Sequence, residues 1–415
     1  MNLDTVMSHL DTFNNYGFNT ETGGTNRIAF RHAERLAALK FSMLCQEAGL
    51  DVRFDYFGNV IARREGKKPN LPPVMIGSHI DTVKDGGRYD GLLGVVAALQ
   101  LMLHLNEHQI ETDHPIEIVA FTAEESARFN TATLGSKYIT GNLSQDDMKE
   151  IKDNEGKTLF QLVDTLKQSL PSEQDFYHQG DLKAFLELHI EQGPILQNKH
   201  KDIGIVTHIA APHRFKVKLT GETSHSGSTP MPMRYDALTA ASEIILQVEA
   251  IAQHYHKAGV VATVGHLDAF PNIMNAIPGD VTLLIDIRGK ELESREQVAT
   301  EVQQAISEIT KRRNIQAEVK DLGQDMPVGL NAEIAQITKQ VCEHHNYSYR
   351  FMFSGAGHDS MNMALICPTS MLFIPCKDGI SHSPKESVEP EEIEKGIQTL
   401  IDTVIEVAKA DVKLQ

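Results

Sequence analysis

The sequence predicts a two-part α/β protein, in which a compact β-α-β-β-α-β unit interrupts a larger domain built on a mainly parallel sheet. Three observations carry this expectation. Strand-like apolar runs alternate with helical periods from residue 26 to about 210, and the alternation returns after residue 331. Between those stretches the strands acquire one wet face, with Phe215, Val217 and Leu219 alternating with Lys216, Lys218 and Thr220. The length of 415 residues exceeds what one core commonly holds and suits two domains.

In chain order, residues 28–48 read as a helix, and 52–57 and 59–63 as short strands around a glycine. The apolar run 73–76 leads into His79, residues 92–105 form a helix, and 115–121 and 184–188 are buried strands. Strands separated by helices imply a largely parallel sheet covered on both faces. From residue 212 the order is a strand, then a helix with Leu238, Ala241, Ile244, Ile245, Val248 and Ile251 at helical spacing. Strands at 260–267 and 281–288 follow, then a helix marked by Val298, Val302, Ile306 and Ile309, and a strand at 315–319. That order is the split βαβ, ferredoxin-like unit. The expected domains are therefore residues 1–211 with 325–415, and an inserted 212–324. A helix at 332–343, a strand at 370–374 and a closing helix with Ile393, Ile397, Leu400, Ile401, Val404 and Ile405 complete the larger domain.

Composition narrows the function classes. A hydrophobic content of 41% with 23% charged residues is that of an ordinary globular protein. The net charge of −17 argues against a nucleic-acid partner, which needs clustered Lys and Arg. Cys45, Cys342, Cys367 and Cys376 share no metal-ligand spacing and make no disulfide framework. With no signal-peptide pattern at the start and no long apolar span, the expectation is a cytoplasmic protein without a membrane partner.

The chemistry lies where the apolar runs stop. Gly77-Ser78-His79-Ile80-Asp81, Gly87-Arg88-Tyr89-Asp90-Gly91, Thr122-Ala123-Glu124-Glu125-Ser126, Glu187-Leu188-His189 and Ile380-Ser381-His382-Ser383 each set a histidine or carboxylate there. In open α/β sheets ligands bind outside the carboxyl ends of the strands, so one location accounts for all five. Three imidazoles with two or more carboxylates suit two divalent ions and point to a metal-dependent hydrolase. His79 is the expected ligand, and Asp81, two residues on along a strand face, its orienter or a neighbouring group. Asp90 sits in a Gly-rich loop where a carboxylate can bridge two ions, although on loop chemistry alone a turn Asp is commoner. The adjacent Glu124 and Glu125 repel unless a cation or a proton separates their states, so one suits a ligand and the other a general base. His104, His108, His200, His254 and His256 lack such a setting and are expected at the surface.

These segments, together with Ser224-His225-Ser226-Gly227-Ser228-Thr229-Pro230, Asn275-Ala276-Ile277-Pro278-Gly279, Asp286-Ile287-Arg288 and Ser354-Gly355-Ala356-Gly357-His358-Asp359, resemble a known family. It is that of the dinuclear metallo-amidohydrolases related to aminoacylase and carboxypeptidase G2. The closer resemblance is to its hydantoinase/carbamoylase branch, of N-carbamoyl-L-amino acid amidohydrolases, allantoate amidohydrolases and β-ureidopropionases. His189 and the Glu-Leu-His-Ile-Glu-Gln-Gly run resemble the carbamoylase side, since related peptidases usually carry Asp or Glu at that place. Ser224 and Ser226 around His225, and Gly357 before His358, depart from many relatives.

The resemblance implies a zinc-peptidase-like catalytic domain and an inserted lid and dimerisation domain. It implies one divalent ion on His79, Asp90 and His189 and a second on Asp90, Glu125 and His382, of Zn, Mn, Co or Ni type. It gives Glu124 the general-base role, His225 the oxyanion, Arg288 the substrate carboxylate, and Asn275, Gln192 and His358 the rest of the pocket. The expected substrate is an N-carbamoyl-L-amino acid or similar ureido acid, with allantoate as the alternative and an aminoacylase, dipeptidase or non-catalytic binding protein further off. A homodimer through the inserted domain is expected, as are hinges near 210–213 and 324–328.

Overall fold

The computed structural model of the chain describes residues 2–169, 172–173 and 176–409. It divides into two compact units: Met1–Thr207 with Gly329–Met352 and Gly357–Gln415, and His208–Val328 with Phe353–Ala356. The smaller unit therefore starts a few residues before the expected 212 and takes a short segment from after residue 350.

In the larger unit, four adjacent strands run parallel, in the order Thr369–Ile374, Ala184–Ile190, Val74–His79 and Ile116–Phe121. Strands paired antiparallel extend them: Ile203–Ile209 on one side and Val60–Arg64 on the other, followed by Asp51–Asp55, which is antiparallel to Val60–Arg64. All four parallel strands are buried along their whole length. Covered on both faces, they have no reason to alternate, which is why they read as plain apolar runs in the sequence. The helix Leu92–Glu107 is buried on nearly all sides, as expected of one that is apolar around its circumference. With His32–Glu47 and Pro390–Val407 it encloses the main core.

The smaller unit has a four-stranded antiparallel sheet in the order Val260–Phe270, Asp280–Gly289, Ala211–Thr220 and Gln316–Gln324. Ala237–His254 and Leu292–Arg313 pack on it. Alternation is clean here because only one face is covered: Val281, Leu283, Ile285 and Ile287 are buried while Thr282, Leu284, Asp286 and Arg288 are not. A two-residue ribbon joins two loops, pairing His225 with Ala276.

Candidate active site

Strand ends and the loops just beyond them assemble the site in the larger unit. Ile76 pairs with Leu186, a register that brings His79 level with His189, and their ring centroids lie 5.7 Å apart. Asp90 precedes the Leu92–Glu107 helix, separated from it by Gly91 at φ 67, where a Cβ would stand 2.4 Å from the His79 ring. The loop can therefore press its carboxylate onto His79 only with glycine at 91. Asp90 Oδ1 is 3.5 Å from His79 Nε2 and 3.2 Å from His189 Nε2, and its Oδ2 is 3.1 Å from His382 Nε2. His382 Nε2 is also 3.2 Å from Glu125 Oε1, and Glu124 Oε2 is 3.8 Å from His79 Nε2. All of these residues are buried except His382, which stands at the rim in a left-handed backbone conformation.

Electrostatics in this cluster follow from burial and neighbours. Burial alone would raise the Asp90 carboxyl, but His189, His382 and His79 outweigh it and hold the group well below the usual range. Burial, helped by Glu125, Asp359 and Asp81, pushes Glu124 well above the ordinary carboxyl value. Contacts with Asp90 and Glu125 raise His382 to about 11. Three imidazoles and three carboxylates thus share one small volume, in which protons and negative charge compete for the same atoms.

The donor set fits divalent metal. Ligand atoms of His79, Asp90 and His189 all lie within 4.8 Å of one another, as do those of Asp90, Glu125 and His382, so Asp90 belongs to both groups. Asp90 Oδ1 is buried and accepts no hydrogen bond, and a carboxylate oxygen in that position calls for a cation. Asp81 is a neighbour of His79, its Oδ1 3.8 Å from His79 Nδ1, but not by way of a shared strand face. The strand ends at His79, so Asp81 does not share a strand face with it. His79 Nδ1 instead faces the backbone carbonyl of Asp81 at 3.0 Å, and His189 Nδ1 faces that of Ile190 at 2.9 Å. The Asp81 carboxylate accepts from the amides of Glu124 at 3.0 Å and Glu125 at 3.1 Å, which sets the direction of both side chains.

The remaining candidates fall in two places. Gln192 donates through Nε2 to Asp90 Oδ2 at 3.0 Å, so its amide touches the cluster of histidines and carboxylates itself. His358 is buried edge-on against His189, with centroids 4.6 Å apart. His225, Asn275 and Arg288 belong to the smaller unit. There His225 Nδ1 accepts from the amides of Gly227 at 3.0 Å and Ser228 at 3.2 Å, and the Asn275 carbonyl accepts from Ser226. Arg288 donates to Asp286 Oδ2 and to the Gly355 carbonyl, each at 3.0 Å, on the sheet face away from the helices. Of the histidines expected at the surface, His108, His200, His254 and His256 are exposed, and His104 is half-buried, stacked on His108.

Sequence reasoning passed over several buried polar groups. Glu187 accepts from the Ser78 hydroxyl at 2.7 Å and the Ser360 hydroxyl at 2.6 Å, bracing the strand beneath His189. Its place two residues before His189 on one strand was a usable signal, since alternate residues share a face. Asp359, buried beside Ser136, gave no such signal.

Histidines and carboxylates gathered at the carboxyl ends of a parallel sheet define the class as a metal-dependent hydrolase on an α/β scaffold. The chain belongs to the Peptidase family M20/M25/M40, whose model matches residues 75–406. It is 38% identical over 402 residues to an N-carbamoyl-L-amino-acid amidohydrolase of a Pseudomonas species, covering 96% of each chain. It is 33% identical over 405 residues to the allantoate amidohydrolase of Bacillus subtilis, covering 98% of each. An amidase of the hydantoinase/carbamoylase family from Burkholderia multivorans has the same fold, with a TM-score of 0.92 at 33% identity and 99% of each chain covered.

Proposed function

We propose that the chain hydrolyses the ureido (carbamoyl) C–N bond of an N-carbamoyl-L-amino acid, releasing ammonia and CO2. The observation that carries this reading is Asp90, shared between two ligand groups with Glu124 alongside, in a chain aligned nearly end to end with an N-carbamoyl-L-amino-acid amidohydrolase.

Two divalent ions are proposed, one on His79, Asp90 and His189 and one on Asp90, Glu125 and His382. When bound, they supply Lewis acidity toward the carbamoyl carbonyl and toward water. Glu124 takes a proton from the attacking water and delivers it to the departing nitrogen, a role that its raised affinity for protons suits. The Asp81 carboxylate keeps Glu124 aimed by holding its amide. His225, whose Nδ1 accepts two amide hydrogens, carries its own proton on Nε2 when neutral, the tautomer needed to donate to an oxyanion. Arg288 is proposed to grip the substrate carboxylate and Asn275 to hydrogen-bond it; in the larger unit Gln192 and His358 are proposed as further substrate-binding residues.

A homodimer through the smaller unit is part of the proposal. It is supported by Val261, Phe270 and Leu284, apolar side chains exposed on that unit. A cytoplasmic setting is supported by four cysteines that are all buried and unpaired. Among the described residues no helix is long and apolar enough to cross a membrane.

The test is ammonia release by the metal-loaded enzyme from N-carbamoyl-L-amino acids, N-carbamoyl-β-alanine, allantoate and N-acetyl amino acids. The reading expects the first group to be fastest. Preference for allantoate would reassign the substrate, and cleavage of N-acetyl amino acids alone would overturn ureido hydrolysis.

A further inference from the structure

Glu386 lies four residues beyond His382 and is buried, 3% exposed. Its Oε1 accepts from two consecutive backbone amides, those of Tyr89 at 2.8 Å and Asp90 at 3.1 Å. Its Oε2 accepts from the Ser381 hydroxyl at 2.8 Å, and the same hydroxyl lies 3.1 Å from Asp90 Oδ2. Its own amide closes a turn on the Ser383 carbonyl at 3.0 Å. One carboxylate therefore fastens the loop that carries Asp90 to the loop that carries His382, nearly three hundred residues away in the chain.

Space for this contact is reserved in the sequence. A Cβ on Gly87 would stand 2.1 Å from the Glu386 carboxyl carbon, so any other residue at 87 would push the carboxylate off the two amides. Glu386 is not itself among the groups of side chains that converge closely enough to hold an ion.

We infer that Glu386 is a positioning residue for the metal centre, fixing the backbone of Asp90 and the His382 turn relative to each other through the amides of residues 89 and 90 and the Ser381 hydroxyl. The inference rests on the proposed reading of Asp90 and His382 as metal ligands. Neither loop has regular secondary structure at the ligand, so without the clasp each pays its own ordering entropy when an ion binds.

Zn2+ affinity, measured by competition with a chelating dye, tests this on the full chain. Glu386→Ala is expected to weaken binding by ~10- to 100-fold. Glu386→Gln keeps an oxygen acceptor for both amides and is expected to stay within a few-fold of the parent. Ser381→Ala, a milder change, is expected to fall between them and covers the case in which Glu386→Ala does not fold. Parent-like affinity in Glu386→Ala, or in Ser381→Ala should the former not fold, would overturn the inference while leaving the metal site standing. A Glu386→Gln variant as weak as Glu386→Ala would overturn it too, by showing that charge and not amide capture is what matters. A parent that binds no Zn2+ would remove the metal reading and this inference together.

Discussion

Glu124 and Glu125 are neighbours in sequence with different surroundings: Glu125 reaches His382, while Glu124 stands beside His79. Glu124→Gln should lower kcat by ~10²- to 10⁴-fold while Zn2+ content stays at the parent level, read by kinetics and elemental analysis on one preparation. Parent-like turnover would remove Glu124 from the proton path. Because burial raises the Glu124 carboxyl, and a base must be ionised to act, activity is lost as pH falls through that raised value. The acid limb of kcat/KM is therefore expected well above the ordinary glutamate range of about 4.3. Arg288→Lys keeps the charge but loses the planar fork, so KM should rise by ~10-fold or more with kcat changed less. At this scale the sequence was readable where side chains follow apolar runs, as at His79 and His189. It was silent at Glu386, which lies in a turn and acts on backbone amides that no residue pattern encodes.

Among elements, the four parallel strands and their helices could be read because burial on both faces leaves long apolar runs. Short polar helices could not. Gln145–Glu150 is set by a capping box between Ser144 and Asp147, with Met148 its one buried residue. Such local hydrogen bonds leave little trace in hydrophobic periodicity. The helix Leu292–Arg313 carries a comparable hidden device. Arg295 is fully buried and donates to the carbonyls of Ala211 at 3.1 Å and Asp325 at 2.6 Å, and to the Gln324 side chain at 2.7 Å. It thereby ties together the two ends of the chain segment that makes the smaller unit. Arg295→Ala strands the buried Ala211 carbonyl and empties a fully buried side-chain site, and should destabilise the unit by about 2–4 kcal/mol, seen as a lower urea midpoint. An unchanged midpoint would show that water replaces the guanidinium without cost.

For the whole molecule, each unit has its own hydrophobic core, and the proposed metal ligands all come from the larger one. Calorimetry with and without Zn2+ should therefore move the transition of the larger unit. An ion held at 100 times its Kd adds about 2.7 kcal/mol, enough for a shift of a few degrees. Equal shifts in both transitions would count against a site built from one unit. Composition foretold little of this arrangement, whereas the change from unbroken to alternating apolar runs near residue 212 marked the passage between the two sheets.

The proposed metal ligands begin in sequence at His79 and end at His382, about 300 residues later. At a synthesis rate of ~5–20 residues per second, a ribosome needs roughly 15–60 s to travel that distance. Once residue 189 has been made, and until residue 382 follows, a growing chain carries His79, Asp90 and His189 but lacks the last imidazole. On the proposed reading, the group of Asp90, Glu125 and His382 cannot form before residue 382 is made, and a chain cut short ahead of it keeps only the group of His79, Asp90 and His189.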